Sequence, residues 1–222
     1  MKKTEMIYEI SQEFFMEMDD YQSDTRDKIK IVIPDRYLDF MEHVLNLRIK
    51  DQLKLIAILQ QGSGARITEI LSLKKKDLDF DKRLVTIKVL KKPKWRKGKS
   101  KLALLKMVFG IKEEKRPYKV KYRQGAINPN VIPLLEAWAE SLGPEDKLFN
   151  ISRFGVLKAY KKLWGITTHS LRHSMVTYMI SVVGKDWAWI MNHFYFTELK
   201  TAHRYFKQST AVEASKIFAE TV

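Results

Sequence analysis

The sequence predicts a mainly α-helical protein with a small antiparallel β-sheet. Before residue 80 and after residue 129, apolar residues recur three or four positions apart, which is the spacing of amphipathic helices. Between these regions the period changes. Residues 83–90 (RLVTIKVL) alternate and are rich in β-branched side chains, and residues 118–123 (YKVKYR) form a second candidate strand.

Four helices are predicted before the sheet. The first covers residues 4–20 and leads into a polar linker. The second begins at Pro34, because the fixed φ of proline suits the first helical position. The third ends in the glycine turn at residues 62–64, and the fourth begins near Arg66.

Six further helices are predicted after the sheet. Glycine follows several of them, as expected where a helix stops. Ser152 stands at a capping position, and Thr210 with Glu213 forms a capping box. These helices cover residues 130–143, 152–165, 169–184, 186–193, 197–208 and 210–222.

Positive charge is concentrated in one part of the chain. The 222 residues carry a formal net charge of +15, and residues 91–123 hold 14 lysines and arginines against two glutamates. Residues 1–28, by contrast, hold eight acidic and four basic side chains. A basic patch of this density indicates a polyanionic partner, most often nucleic acid. We expect an acidic helix and linker over residues 1–30 and one domain over residues 31–222.

Composition excludes several other classes of protein. Cysteine is absent, so disulfides and thiolate metal sites are excluded and an intracellular setting fits. No run of 18 or more apolar residues exists to span a membrane. The N-terminal stretch carries Glu5, Glu9 and Glu13, so it does not resemble a signal peptide. We expect a cytoplasmic, nucleoid-associated protein from a prokaryote or a virus-infected host.

Residues 168–180 (THSLRHSMVTYMI) raise the question of a metal site, because His169 and His173 lie four residues apart. Zinc usually takes at least three protein ligands, and the metalloprotease pattern needs glutamate where Ser170 stands. A hydrogen-bonded core histidine is the plainer alternative for either ring. Arg172, however, has apolar neighbours, and a buried guanidinium needs a carboxylate or a phosphate partner. In so basic a chain, phosphate is the favoured partner.

Arg66 is a second candidate phosphate ligand. It follows the glycine turn and opens a helix, whose N-terminus presents backbone N–H groups and positive dipole charge. Glu69, three residues on, can orient Arg66 across the helix face. An ordinary turn with an exposed arginine is the alternative. Together Arg66 and Arg172 could hold one phosphate from two sides.

Phosphate held in this way points to phosphoryl transfer, which needs a nucleophile. The sequence has no P-loop and no acidic cluster for magnesium, which disfavours two-metal hydrolysis. A hydroxyl side chain remains, and Tyr205 in TAHRYFK is the candidate. Packing is the commoner use of such a tyrosine.

These segments together resemble the tyrosine recombinase, or phage integrase, family over about residues 32–210. GSGARITEILSLKKKDLDF is similar to that family's first arginine box, HSLRHS to its H-x-x-R box, WIMNHF to its L-G-H segment, and TAHRY to the segment that carries its nucleophile. The matching positions are Gly64, Arg66, Glu69, Leu73, Asp77, His169, Arg172, His193 and Tyr205.

The resemblance implies an α+β catalytic domain that breaks and rejoins DNA without a cofactor or a metal. It implies that Tyr205 forms a 3′-phosphotyrosine, that Arg66 and Arg172 neutralise the phosphate, and that Glu69 holds Arg66. His169 would act as the general base and His193 would hydrogen-bond the phosphate. The family also uses a hairpin lysine as general acid, which corresponds to Lys91, then Lys92, with Lys94 less favoured. His173 would be a packing or hydrogen-bonding residue.

The sequence departs from the family pattern at three points. His193 and Tyr205 are 12 residues apart, a few more than usual, so Tyr195 is a nearer alternative nucleophile. Asn192 replaces the glycine of the L-G-H segment. No separate N-terminal core-binding domain is visible. A type IB topoisomerase-like enzyme and a non-catalytic DNA-binding protein on the same scaffold are the alternative functions.

The expected partner is double-stranded DNA, bound by a chain that is monomeric in solution and tetrameric on paired sites, with no membrane. The residues expected to contact DNA are basic side chains that follow the first strand of the predicted sheet: Lys92, Lys94, Arg96, Lys97, Lys99 and Lys101.

Overall fold

The computed structural model describes residues 3–17, 29–90, 120–196 and Tyr205. The predicted mainly α-helical class with small antiparallel sheets is confirmed. The helices are α1 (Lys3–Gln12), α2 (Tyr37–Asn46), α3 (Asp51–Ser63), α4 (Ile67–Ile70), α5 (Ile132–Ala139), α6 (Arg153–Trp164), α7 (Ser170–Ser181) and α8 (Trp187–Phe194). The strands are β1 (Phe15–Glu17), β2 (Lys30–Val32), β3 (Leu78–Asp79), β4 (Leu84–Val89) and β5 (Lys121–Ala126).

Helix α3 lies at the centre of the core. The residues from Leu55 to Gln61 are almost entirely buried. The helix packs against α7, α2 and β5. Residues 55–59 (LIAIL) are apolar without interruption, so this part of α3 fits an interior position rather than a surface one. Its C-terminus therefore delivers the glycine turn to the middle of the molecule.

The three-stranded sheet has the order β3-β4-β5, and both strand pairs are antiparallel. In β4 the side chains of Val85, Ile87 and Val89 are buried while those between them face outward, as the alternating sequence predicts. Strand β5 pairs along the whole of β4, from Leu84 opposite Ala126 to Val89 opposite Lys121. Residues 91–119, which join the two strands, lie outside the described residues.

The N-terminal segment differs from the single helix predicted over residues 4–20. Helix α1 ends at Gln12, and Phe15–Glu17 forms a strand paired with β2. Tertiary packing outweighs the helical spacing here, because Phe14 is buried against Phe40 with ring centroids 5.6 Å apart. Helix α1 also packs on α6, where Gln12 Nε2 donates to the Trp164 carbonyl at 3.1 Å.

Several other helix boundaries follow their sequence signals, although α5 ends at Ala139 and not at the predicted residue 143. The helices predicted over residues 197–208 and 210–222 lie, apart from Tyr205, outside the described residues. Pro34 opens a 3-10 turn that leads into α2. Ser152 caps α6 by accepting a hydrogen bond from the Gly155 N–H, and Gly165 ends that helix with φ of 68°. Within the described residues, no helix combines the length and apolar character needed to cross a membrane.

Candidate active site

The glycine turn after α3 is where four elements meet. Gly64 has φ of 59°, and a Cβ there would lie 2.4 Å from the Phe194 ring of α8. On β5, a Cβ at Gly125 would lie 2.4 Å from the Ser63 Cβ. Distances this short mean that only glycine permits both approaches. The turn is therefore held between α7, α8 and β5.

Arg66 and Glu69 form the contact that their spacing predicts. Arg66 Nη1 donates to Glu69 Oε1 at 2.9 Å, and the Arg66 backbone N–H donates to Glu69 Oε2 at 2.9 Å. Glu69 is fully buried, whereas 21% of the Arg66 side chain is exposed. The carboxylate thus fixes both the start of α4 and the direction of the guanidinium.

Arg172 is buried, with 4% of its surface exposed, as its apolar neighbours predict. Two backbone carbonyls anchor the guanidinium. Nη1 donates to the Gly64 carbonyl at 2.6 Å and Nη2 to the Phe194 carbonyl at 2.8 Å. The guanidinium also lies 5.2 Å from the Phe196 ring. Carbonyls orient the group without cancelling its charge.

Arg123 also belongs to this cluster, although it was not among the residues predicted from the sequence. It projects from β5 and donates from Nη1 to the Ser63 carbonyl at 2.7 Å. Its Nη2 lies 3.9 Å from Glu69 Oε2. The only available signal was a basic residue at a buried position of a strand, and the abundance of lysine and arginine nearby obscures it.

Electrostatic effects mark the cluster as positively charged. Burial, followed by the charges of Arg66 and Arg123, lowers the pKa of Arg172 to about 9. Burial also lowers the pKa of Arg123 to about 10, with Glu69 acting in the opposite direction. Both groups stay protonated at neutral pH. Such a concentration of guanidinium donors suits a phosphate or carboxylate ligand.

Two histidines lie within reach of this charge. Desolvation and then the charges of Arg153, Arg172 and Arg66 lower the pKa of His169, although the residue opens to solvent. Desolvation, Arg123 and Arg172 lower the pKa of His193 to about 4. The His193 ring stacks on Trp189 with centroids 4.4 Å apart. Both imidazoles are therefore neutral at pH 7.

Tyr205 lies beside the cluster, and 3% of its surface is exposed. Its hydroxyl is 2.5 Å from His173 Nδ1, and its ring stacks on Phe196 with centroids 5.6 Å apart. His173, expected to be a packing or hydrogen-bonding residue beside Arg172, is thus hydrogen-bonded to the candidate nucleophile. The alternative, Tyr195, ends α8 with φ of 50° and donates its hydroxyl to the Tyr122 carbonyl on β5 at 3.0 Å.

The structure does not describe the remaining predicted site residues. Among the described residues, no group of three or more histidine, aspartate or glutamate side chains is placed to hold a metal ion. The candidate general acid and the predicted DNA contacts lie outside the described residues: Lys91, Lys92, Lys94, Arg96, Lys97, Lys99 and Lys101.

Comparison with known proteins identifies relatives of this fold. The sequence model of the phage integrase family matches residues 31–211, more than half of the chain. No match was found among curated protein sequences.

Solved structures provide three useful comparisons. XerA recombinase is 16% identical with a TM-score of 0.52, over 79% of this chain and 59% of XerA. The catalytic domain of bacteriophage HP1 integrase is 16% identical with a TM-score of 0.51, over 80% of this chain and 87% of that domain. XerH bound to a palindromic difH substrate is 18% identical with a TM-score of 0.57, over 85% of this chain and 53% of XerH. The chain thus spans less than two thirds of XerA and of XerH, and it shares the fold of recombinase catalytic domains.

Proposed function

Because the chain belongs to the phage integrase family, whose sequence model covers residues 31–211, we propose that it is a site-specific DNA recombinase acting through a 3′-phosphotyrosine. The observation that carries the proposal is the convergence of Arg66 and Arg172 on one turn, next to the buried hydroxyl of Tyr205. Within the described residues, Glu69 is the carboxylate paired with this cluster, so positive charge remains for a phosphodiester.

In the proposed reaction the Tyr205 oxygen attacks the phosphorus of a DNA phosphodiester. The bond from phosphorus to the tyrosine oxygen forms while the bond to the 5′ oxygen breaks. This leaves a 3′-phosphotyrosine and a 5′-hydroxyl end. A 5′-hydroxyl from another strand then attacks the phosphotyrosine and releases Tyr205, so rejoining needs no external energy source.

Arg66 and Arg172 stabilise the negative charge that develops on the non-bridging oxygens. Donors preorganised in this way contribute about 3–4 kcal/mol each to the transition state. The Glu69 carboxylate and the Gly64 and Phe194 carbonyls hold the two guanidinium groups in place before DNA arrives. His193, neutral because its pKa is lowered to about 4, donates an N–H to the phosphate.

The reaction also moves two protons. A tyrosine has a pKa of about 10 in water and must lose its proton as it attacks. His169 is the proposed acceptor, and its lowered pKa keeps it in the neutral form that can accept. The contact with His173 holds the Tyr205 hydroxyl in position. Lys91 is the proposed donor to the leaving 5′ oxygen.

Double-stranded DNA is the proposed partner. The XerH structures are complexes with difH, and a Tn1549 transposon integrase with a TM-score of 0.50 was solved with circular intermediate DNA. Basic residues 92–101 supply the proposed contacts with the DNA backbone. We propose a monomer in solution that forms a homotetramer on paired sites. The family match begins at residue 31, which supports treating residues 1–30 as an addition to the catalytic domain.

Covalent trapping tests the proposed function. Duplex sites are selected from a random library by binding to the Tyr205→Phe variant and are then nicked next to each candidate position. The wild-type chain should form an SDS-resistant adduct on one of them, in the presence of chelator. The adduct should disappear in Tyr205→Phe and persist in Tyr195→Phe. The opposite pattern would move the nucleophile to Tyr195, and no adduct with any duplex would reject the enzyme.

Strand exchange separates the two catalytic alternatives. A recombinase should join ends from two different duplexes, and its adduct should form in a tetrameric complex on gel filtration. Relaxation of supercoiled plasmid by a monomer, without exchange between duplexes, would instead support the type IB topoisomerase-like alternative.

A further inference from the structure

We propose that Arg123 is a third arginine of the phosphate site, and that its Nη2 donates to a non-bridging oxygen of the phosphodiester that Tyr205 attacks. The inference rests on the proposed function and adds a residue to its site. Arg123 lies on β5, far in sequence from the segments that carry the family resemblance.

The two ends of the Arg123 guanidinium differ in their surroundings. Nη1 donates to the Ser63 carbonyl at 2.7 Å. Nη2 is buried and has no hydrogen-bond acceptor among the described residues. The side chain as a whole is 5% exposed. Buried donors of this kind are rare, because the lost hydration is normally replaced by a partner.

Glu69 does not supply that partner. Its nearer oxygen is 3.9 Å from Nη2, which is beyond hydrogen-bonding distance. Both carboxylate oxygens already accept from Arg66, one from the side chain and one from the backbone N–H. Glu69 therefore supplies a long-range attraction to Arg123, and the Nη2 donor is left for a ligand.

The position of Arg123 matches that of the other two arginines. It donates to the carbonyl of Ser63, and Arg172 donates to the next carbonyl in the chain, that of Gly64. Both guanidinium groups also lie near the Phe194 ring, at 6.0 and 5.4 Å from its centroid. The two guanidinium groups are thus held on adjacent carbonyls, and Arg66 is close enough for its charge to lower the pKa of both.

Glycines bring β5 close enough for this arrangement. A Cβ at Gly125 would lie 2.4 Å from the Ser63 side chain, and one at Gly62 would lie 3.0 Å from the Ala126 carbonyl. The strand and the turn therefore come into close contact at Gly125 and Ala126, two and three residues after Arg123. A side chain at Gly62 or Gly125 would move Arg123 away from the turn.

The test asks whether loss of Arg123 depends on the charge of the phosphate. Arg123→Met removes the guanidinium and keeps an apolar stem. Adduct formation is followed in single turnover on the trapped duplex, with either the natural phosphodiester or one uncharged methylphosphonate at the cleavage position. On the phosphodiester, the rate constant should fall by about 10²- to 10³-fold. On the methylphosphonate, the loss relative to wild type should shrink at least tenfold, since there is no charge to neutralise.

An equal loss on both duplexes would show that Arg123 only supports the turn, and the proposal would fail. If the methylphosphonate reacts too slowly, binding replaces reaction as the measurement. The dissociation constants of the two duplexes are then compared with and without Arg123→Met, both in the Tyr205→Phe background. Arg123→Lys covers the case in which Arg123→Met does not fold. It keeps the charge but carries it on a single nitrogen that cannot donate to both the Ser63 carbonyl and the phosphate in the arginine geometry, so its loss should also be smaller on the methylphosphonate.

Two further variants make the outcome specific. Arg36→Met makes the same change at a guanidinium that lies over the Phe14 ring and next to Glu13 instead of in the cluster, and should behave as wild type on both duplexes. Arg66→Met should also lose less activity on the methylphosphonate than on the phosphodiester, whether or not Arg123 contacts the phosphate. If Arg66→Met shows it and Arg123→Met does not, the proposed function stands and the role of Arg123 is rejected. If the wild type forms no Tyr205-dependent adduct, the proposed function itself fails.

Discussion

Arg66 and Arg172 are the two arginines that the sequence identifies, and the structure anchors them in opposite ways. Arg66 is held by a carboxylate three residues away on its own helix. Arg172 is held by the carbonyls of Gly64 and Phe194, which belong to two other parts of the chain. A carboxylate fixes a guanidinium and offsets its charge, whereas carbonyls fix it and leave the charge in place. The charge of Arg66 is therefore offset by Glu69, whereas the charge of Arg172 is not offset by its carbonyl partners. The remaining positive charge can bind an anion.

Arg172→Lys breaks the carbonyl-anchored half and should have the largest effect. A single ammonium cannot reach both the Gly64 and the Phe194 carbonyls in the planar geometry of a guanidinium. Leaving one buried acceptor unsatisfied should lower the free energy of unfolding by about 1–3 kcal/mol. Adduct formation should fall by about 10³-fold. Urea unfolding and single-turnover trapping measure the two effects. A fully active lysine variant would mean that charge alone matters at this position.

Glu69→Gln breaks the carboxylate-anchored half and should have a smaller effect. The amide still accepts from Arg66 Nη1, but it places an NH₂ group against the Arg66 backbone N–H. We expect a loss of about 1–3 kcal/mol in unfolding free energy and a tenfold or greater drop in adduct formation.

The control for Glu69→Gln is Asp77→Asn, which removes a carboxylate that accepts the Lys74 backbone N–H in the same i,i+3 arrangement. Asp77 lies outside the arginine cluster. This variant should lose stability and keep the adduct rate of the folded protein. Equal losses of adduct rate in the two variants would mean that Glu69 contributes to the stability of the fold and not to the chemistry of the site.

His173→Phe tests the contact between His173 and the hydroxyl of Tyr205. It keeps an aromatic ring and removes the Nδ1 partner of the Tyr205 hydroxyl. Loss of one such contact should slow adduct formation about tenfold. His169→Phe, which removes the proposed proton acceptor, should slow it by about 10²-fold or more. A larger loss from His173→Phe than from His169→Phe would make His173 the acceptor instead.

Arg153→Gln should have the smallest effect, a shift in pH dependence. His169 must be neutral to accept the tyrosine proton, so the rate falls as pH drops through its pKa, which lies below the usual 6.5. Arg153 is one of the charges that lower this pKa, so removing it should move the acid limb of the rate profile to higher pH. Lys158→Gln, farther along α6, is the control. The shift should shrink at high salt, because Arg153 is exposed.

The same contrast explains which parts of the site could be predicted from the sequence. The contact of Arg66 with Glu69 follows from helical spacing, and the burial of Arg172 follows from its apolar neighbours. Arg123 reaches Ser63 across 60 residues, and His173 reaches Tyr205 across 32, and no local pattern encodes either contact. The end of α1 was missed for the same reason, because Phe14 fits a helical stripe but packs on Phe40. The role of Lys91 stays a prediction.

The two adjacent carbonyls of Ser63 and Gly64 also have a consequence for cooperativity. Each is held by an arginine from a different element, one from β5 and one from α7. Opening either element releases a carbonyl of the same turn and loosens the start of α4. Loss of activity and loss of global structure should therefore coincide, and the protein should show no partly unfolded state in which it still reacts with DNA. Backbone amides around the turn should exchange with solvent only at the rate of complete unfolding.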